Sequence, residues 1–108
     1  MDKIALEAKA IKAFENLASA RTALFMAAEV TIMDKFTLEK QRAELTASGK
    51  IDGKNAETRE AQVREILSDQ YLSVAAAEAA EREARRDFDL ASMEADAVRT
   101  LVRIAELP

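Results

Sequence analysis

The sequence predicts an all-α fold, a long antiparallel helical hairpin of coiled-coil character. Three observations predict it. Only two Gly and one Pro interrupt 108 residues, so long helices have few points at which to stop. Ala, Glu, Leu, Arg and Lys dominate, the composition of helical bundles and coiled coils. Apolar residues recur by threes and fours on both sides of a single glycine-marked segment, residues 49–55. A chain of this length supports one domain, 1–108, burying roughly two-thirds of its unfolded surface. With 5% aromatic residues, its core must come from Ala, Leu, Val, Ile and a few Phe.

The first helix is expected over about 3–48. Leu17, Leu24, Leu38 and Leu45 share one seven-residue repeat, with Thr31 in the remaining slot. Ile4, Ile11, Phe25 and Ile32 form the adjacent row, and the two rows together make one wide apolar stripe. Phe14, Phe25 and Phe36 are spaced by eleven, which keeps them near one face of a straight helix. The weak point is Val30-Thr31-Ile32 followed by Asp34, a β-branched run that could kink or restart the helix.

The turn at 49–55 has its own chemistry. Ser48-Gly49 suits a helix C-terminus, because Gly adopts the left-handed conformation without a steric penalty. Asp52-Gly53 is a turn pair. Asn55 is a good N-cap, with Glu57 and Glu60 favourably placed near the positive end of the next helix. Arg59 is expected to reach back to the last carbonyls of the first helix.

The second helix is expected over about 56–106. Val63, Leu67, Val74, Ala77, Ala84, Phe88, Ala91, Ala95, Val98 and Val102 alternate by three and four, with Gln70 and Glu81 as polar intrusions. A second stripe, Leu72, Ala76, Ala79, Leu90, Met93, Ala97, Leu101 and Ile104, lies well over a hundred degrees away. Two stripes need two partners. One is the first helix; the other is a third helical segment or another copy of the chain. Helices of this length would run roughly 70–75 Å, and a lone hairpin of that shape buries little per residue. A break near Asp34 could fold the chain into a short bundle, and Ser68-Asp69 is a second possible break, although the heptad phase continues across it. Self-association into a helical bundle is the preferred solution, with the second stripe as its surface.

The composition also excludes chemistry. No Cys and no His are present, which removes thiolate and imidazole ligands and the commonest general base together. No catalytic residue, cofactor or metal is expected, and the chain reads as a non-enzyme. Carboxylates such as Glu81, Glu83, Asp87 and Asp89 lack the Glu-x-x-His of di-metal bundles. The segment from Gly49 to Asn55 superficially resembles a phosphate loop but has three residues between its glycines, Asn after Lys54, and a helix before it. Weak anion binding at the second helix N-terminus, helped by Lys54 and Arg59, is the functional reading of that segment. Arg82, Arg85, Arg86, Arg99 and Arg103 are candidate anion- or partner-binding residues. Their blander reading is a solvated face paired through Glu78–Arg82, Glu81–Arg85, Arg85–Asp89 and Asp96–Arg99. The Ala-rich run 74–80 reads as tight helix packing.

The net charge of −4 is mild. Acids and bases balance over 2–48, whereas acids exceed bases over 56–108 and every base there is Arg. No basic stripe of the kind that grips nucleic acid is present, and a DNA mimic would carry more carboxylates. Met1-Asp2-Lys3 leads directly into an amphipathic pattern rather than a signal-peptide core, and no apolar run approaches the ~20 residues of a membrane span. Residence in the cytosol, with no membrane partner, is the expectation.

Residues Gly53, Lys54, Asn55, Ala56, Arg59 and Gln62, followed by a long Ala/Glu/Arg-rich helix, spell Gly-Lys-Asn-Ala-x-x-Arg-x-x-Gln. This resembles small helical proteins, mostly uncharacterised, of tailed bacteriophages and prophages, over about ten residues. The resemblance implies a viral origin and action inside a bacterial host cell, and brings no catalytic residues. The leading expectation is a non-catalytic, self-associating phage protein that binds a host or phage protein, most concretely as an inhibitor of a host enzyme or defence system. Alternatives are a recombination or replication accessory contacting single-stranded DNA, an assembly or structural protein, and a sponge for a nucleotide signal.

Overall fold

The computed structural model describes residues 2–108; Met1, where the N-terminal pattern begins, lies outside the described residues. Among these residues there are three α-helices and no strand: α1 (Lys3–Ala47), α2 (Ala56–Ile66) and α3 (Ser68–Ala105). They form a long antiparallel helical hairpin, with α2 and α3 as the returning arm.

α1 begins at Asp2, whose carboxylate accepts the backbone N–H of Ile4 at 3.2 Å. This is a capping bond to one of the helix's orphan donors. The β-branched run at 30–32 does not break α1. Thr31 sits on the inward row and is buried, so packing holds the segment against its weak propensity. Thr22, Thr37 and Thr46 turn their hydroxyls back onto the carbonyls of Ala18, Met33 and Arg42, which keeps their polar atoms satisfied within the helix. At the far end Gly49 takes φ +76°, a conformation that only glycine enters without strain.

The returning arm, expected as one helix over about 56–106 with Ser68-Asp69 as a possible break, is interrupted at that break. Leu67 leaves helical geometry at φ −99°, ψ 23°, and Ser68 starts α3. The backbone bonds still pass through: Leu67 N–H donates to Val63 at 2.9 Å and Tyr71 N–H to Leu67 at 3.0 Å. The interruption is a local flattening that leaves the heptad phase intact.

The chain divides into two compact units, the first made of the segment up to Ala27 together with Glu81–Pro108, the second of Ala28–Ala80. In the first, Ala13, Ala95 and Val98 form the core, with Ala10, Leu17 and Val102 packed against it. Small side chains dominate this seam, so it gains stability from close helix approach rather than from bulky burial. In the second, Val63, Val74 and Ala77 are buried alongside Thr31. Polar bonds across the seam add to them. Gln70 donates to the Asp34 carbonyl at 3.2 Å, Ser73 donates to the Asp34 carboxylate at 2.7 Å, and Lys35 meets Glu78 at 3.7 Å. Gln70, a polar intrusion in the sequence pattern, is thus a crosslink.

The inward side of α1 is the repeat containing Leu17, Leu24, Thr31, Leu38 and Leu45 together with the repeat that carries the buried Leu6 and Ala13. The adjacent row was expected to widen that stripe. Instead Ile4, Ile11, Phe25 and Ile32 are exposed, as is Phe36. The reason is geometric: one residue along a helix is about 100° around its axis, and a single facing helix covers only one seam. Val98 is 2% exposed, so Val98→Ala should cost about 2 kcal/mol in urea denaturation. Val30→Ala, at an exposed position, should stay within about 0.5 kcal/mol.

Candidate functional site

The segment that carries the family-like motif folds into one hydrogen-bonded unit. Asn55 adopts extended backbone geometry, and its side-chain oxygen accepts from the Thr58 N–H at 2.8 Å and the Thr58 hydroxyl at 2.9 Å. It therefore caps α2 as its residue type leads one to expect. Gln62 reaches back one turn further. Its Oε1 accepts the Gly53 N–H at 2.8 Å, while its Nε2 donates to Asp52 at 2.7 Å. Arg59 donates from Nη1 to the Gly53 carbonyl at 3.2 Å. The target is the turn itself, so the expectation that Arg59 would satisfy the last carbonyls of the first helix is corrected.

Gly53 is the point on which these bonds converge. A Cβ added there would stand 2.8 Å from the Arg59 backbone nitrogen and 2.9 Å from Thr58 Cγ2. Only a residue without a side chain lets α2 approach its own preceding turn this closely. Gly53, Asn55, Arg59 and Gln62 are thus one structural device, and Lys54 is left exposed beside it. Arg59 gives one guanidinium donor to the turn and is itself exposed.

A second cluster joins the two arms near the turn. The Arg42 guanidinium donates to both carboxylate oxygens of Glu60, at 3.0 and 2.8 Å, and to the Tyr71 hydroxyl. Arg64 donates to Glu60 at 3.3 Å and lies 4.8 Å over the Tyr71 ring. The fork-to-fork geometry raises the Arg42 guanidinium above its ordinary value, chiefly through the bond to Glu60. The same bond from Arg42 holds the Glu60 carboxyl below its ordinary value, against a smaller opposing effect of burial. This cluster was missed in the sequence, where Glu60 reads only as a charge near a helix N-terminus. The available signal was a lone Tyr one heptad from Arg64, which is too weak to single out.

Arg82, Arg85 and Arg86 are exposed. Glu78, one expected partner of Arg82, meets Lys35 of α1. Arg99 binds Asp96 at 3.0 Å, as its spacing predicts, and also lies 5.5 Å over the Phe14 ring. Arg103 is the basic residue of α3's last turn, where it complements the helix dipole. Among the described residues no group of three or more acidic or other metal-binding side chains is placed to hold an ion, and no helix is long and apolar enough to cross a membrane.

What remains as surface chemistry is apolar. Besides the outward row of α1, the α3 residues Leu72, Leu90, Met93, Leu101 and Ile104 are exposed, with Ala76, Ala79 and Ala97 exposed between them. Every member of the stripe read as surplus in the sequence therefore faces outward in this chain. No protein-family model, curated protein or solved structure matches the chain.

Two outcomes test the turn and its neighbour. Asn55→Ala should cost about 1 kcal/mol by urea denaturation. Gly53→Ala should cost more than Gly49→Ala, since Gly49 has nothing near its missing Cβ and pays only for its left-handed backbone. The Glu60 carboxyl sits below its ordinary value, so its contribution is complete above the ordinary carboxylate range and is lost as pH falls through the depressed value. The urea midpoint of the native chain should therefore drop more steeply between about pH 5 and pH 3 than that of Glu60→Gln.

Proposed function

We propose that this is a non-catalytic, phage-encoded binding protein that self-associates and acts inside the bacterial host by docking an apolar helix face on a protein. Its most concrete form is an inhibitor of a host enzyme or defence system. The observation that carries the reading is the number of large apolar side chains left outward, with Ile4 at 75% and Phe25 at 71% exposure. Contiguous exposed apolar rows are the mark of interaction surfaces rather than of a finished monomer. The phage origin rests on the likeness of the Gly53-to-Gln62 motif. The absence of His and Cys supports binding over catalysis.

The reading distributes the two faces. On α1, Ile11, Phe14 and Phe25 offer aromatic and branched anchors of the type that dominate protein interfaces. On α3 the side chains are aliphatic, which suits packing against a like helix. Capture from host lysate on the immobilised chain, run beside light scattering of the free chain, tests it. The expected result is one retained host protein, lost on Phe25→Asp, and a scattering mass above that of one chain. A monomer at tens of micromolar that retains nothing would sink the proposal.

A further inference from the structure

The outward stripe of α3 within the first compact unit has a symmetry that picks out its partner. Leu90, Met93, Ala97, Leu101 and Ile104 are spaced three, four, four and three. The pattern is a palindrome centred on Ala97. The four large members are between 41% and 67% exposed, and Ala97 is exposed between them. The core residues Ala95 and Val98 face α1 from other positions on the same helix, so the stripe is spare after the hairpin has formed.

A two-fold interface must be self-complementary: the patch that one copy offers is the patch that the other receives. A parallel pair meets that demand for any sequence; a palindromic row also meets it antiparallel, the orientation in which Asp89 of one copy approaches Arg103 of the other. With a second α3 running antiparallel about Ala97, Leu90 faces Ile104, Met93 faces Leu101, and each Ala97 faces its counterpart on the axis. The smallest side chain then stands where the helices cross, which lets the backbones come closest there, while the larger pairs fill the space on either side.

Charge sets the same register. In this pairing Asp89 of one copy lies within about half a helical turn of Arg103 of the other, and the two-fold axis repeats the pair. Both are exposed, and neither finds an ion-pair partner among the described residues. Arg86 and Glu83 fall on the same face just before Leu90 and end the apolar row there. The exposed face of α1 in the same unit lacks this symmetry. Ile11, Phe14 and Phe25 are arranged around Ala18, but the mirror position of Phe14 is Thr22, and the Phe14 ring already carries Arg99.

We infer that a second copy of this chain packs on α3 through Leu90, Met93, Ala97, Leu101 and Ile104, antiparallel and two-fold about Ala97. This deepens the self-association reading above and rests on it. The seam runs about 21 Å along α3, short for a permanent dimer, so association sits in the micromolar range rather than the nanomolar one.

Because the chain has no Cys, Ala97→Cys places one thiol on the predicted axis. Oxidation of the full-length variant should give a disulfide-linked dimer in high yield, since axis-adjacent positions on close helices fall within disulfide reach. Thr22→Cys should not crosslink. In sedimentation equilibrium up to about 100 μM, Met93→Glu should weaken the dimer by about tenfold or more with unchanged helical circular dichroism. Asp89→Arg and Arg103→Asp should each weaken it, and the double exchange should restore it, a rescue that misfolding cannot imitate. A dimer that forms without the Ala97→Cys crosslink, or that ignores Met93→Glu, overturns this seam but leaves self-association standing. A chain that stays monomeric throughout overturns both, while a captured host protein would still support the binding reading.

Discussion

Each helix of a two-helix hairpin has one neighbour, and that constraint governs the molecule. A helix can cover only about one seam of its partner, so any apolar residue more than about a quarter-turn from the seam is left to water or to another molecule. In the first unit the seam is Ala13 against Ala95 and Val98, a narrow contact that pays little per residue but allows close approach. Leu6 is buried as well and Leu17 packs on the seam, but many larger hydrophobes are elsewhere. Phe25, Phe36, Leu72 and Met93 are all exposed, an inversion of the usual order in which the bulkiest apolar groups are the most buried.

The turn solves a different problem. A long helix reversing direction exposes orphan donors and acceptors at both ends. Here the donors on the α2 side are met by Asn55, and the preceding turn is tied down by Gln62 and Arg59 through the two polar groups of Gly53. The missing side chain of Gly53 is what permits the arrangement. Next to it, Arg42, Glu60, Arg64 and Tyr71 join the arms with a bidentate ion pair and a cation–π contact. These groups are half-exposed, so their electrostatic strength is screened by solvent and their main effect is on register.

The readable part of the fold was the part controlled by local rules. The glycine at the end of α1, the Asn55 cap and the inward heptad of the returning arm follow from backbone sterics, capping geometry and helical period. The Val30-Thr31-Ile32 run, a possible kink in the sequence, does not interrupt the expected helix because propensity is weaker than packing: Thr31 is buried. The interruption at Leu67 falls beside Ser68-Asp69, the second possible break in the sequence, but the continuous heptad phase argued against a stop there and the departure lies in two backbone angles. The second α1 row was assigned to the core because periodicity gives a face and not the width that a neighbour can cover. Of the candidate binding residues, Arg59 and Arg99 have intramolecular partners that no spacing rule alone would fix.

By itself the sequence determined that the chain is helical, where it turns, and that imidazole and thiol chemistry are absent, because these depend on residue type and on neighbours within a few positions. It also determined that more apolar faces exist than one hairpin consumes. Only the tertiary structure decided which faces those are. The choice depends on which side of α1 meets α3, and that is settled by contacts between residues far apart in the chain, such as Ala13 with Val98 and Asp34 with Ser73. Period and composition are local quantities and carry no record of such meetings.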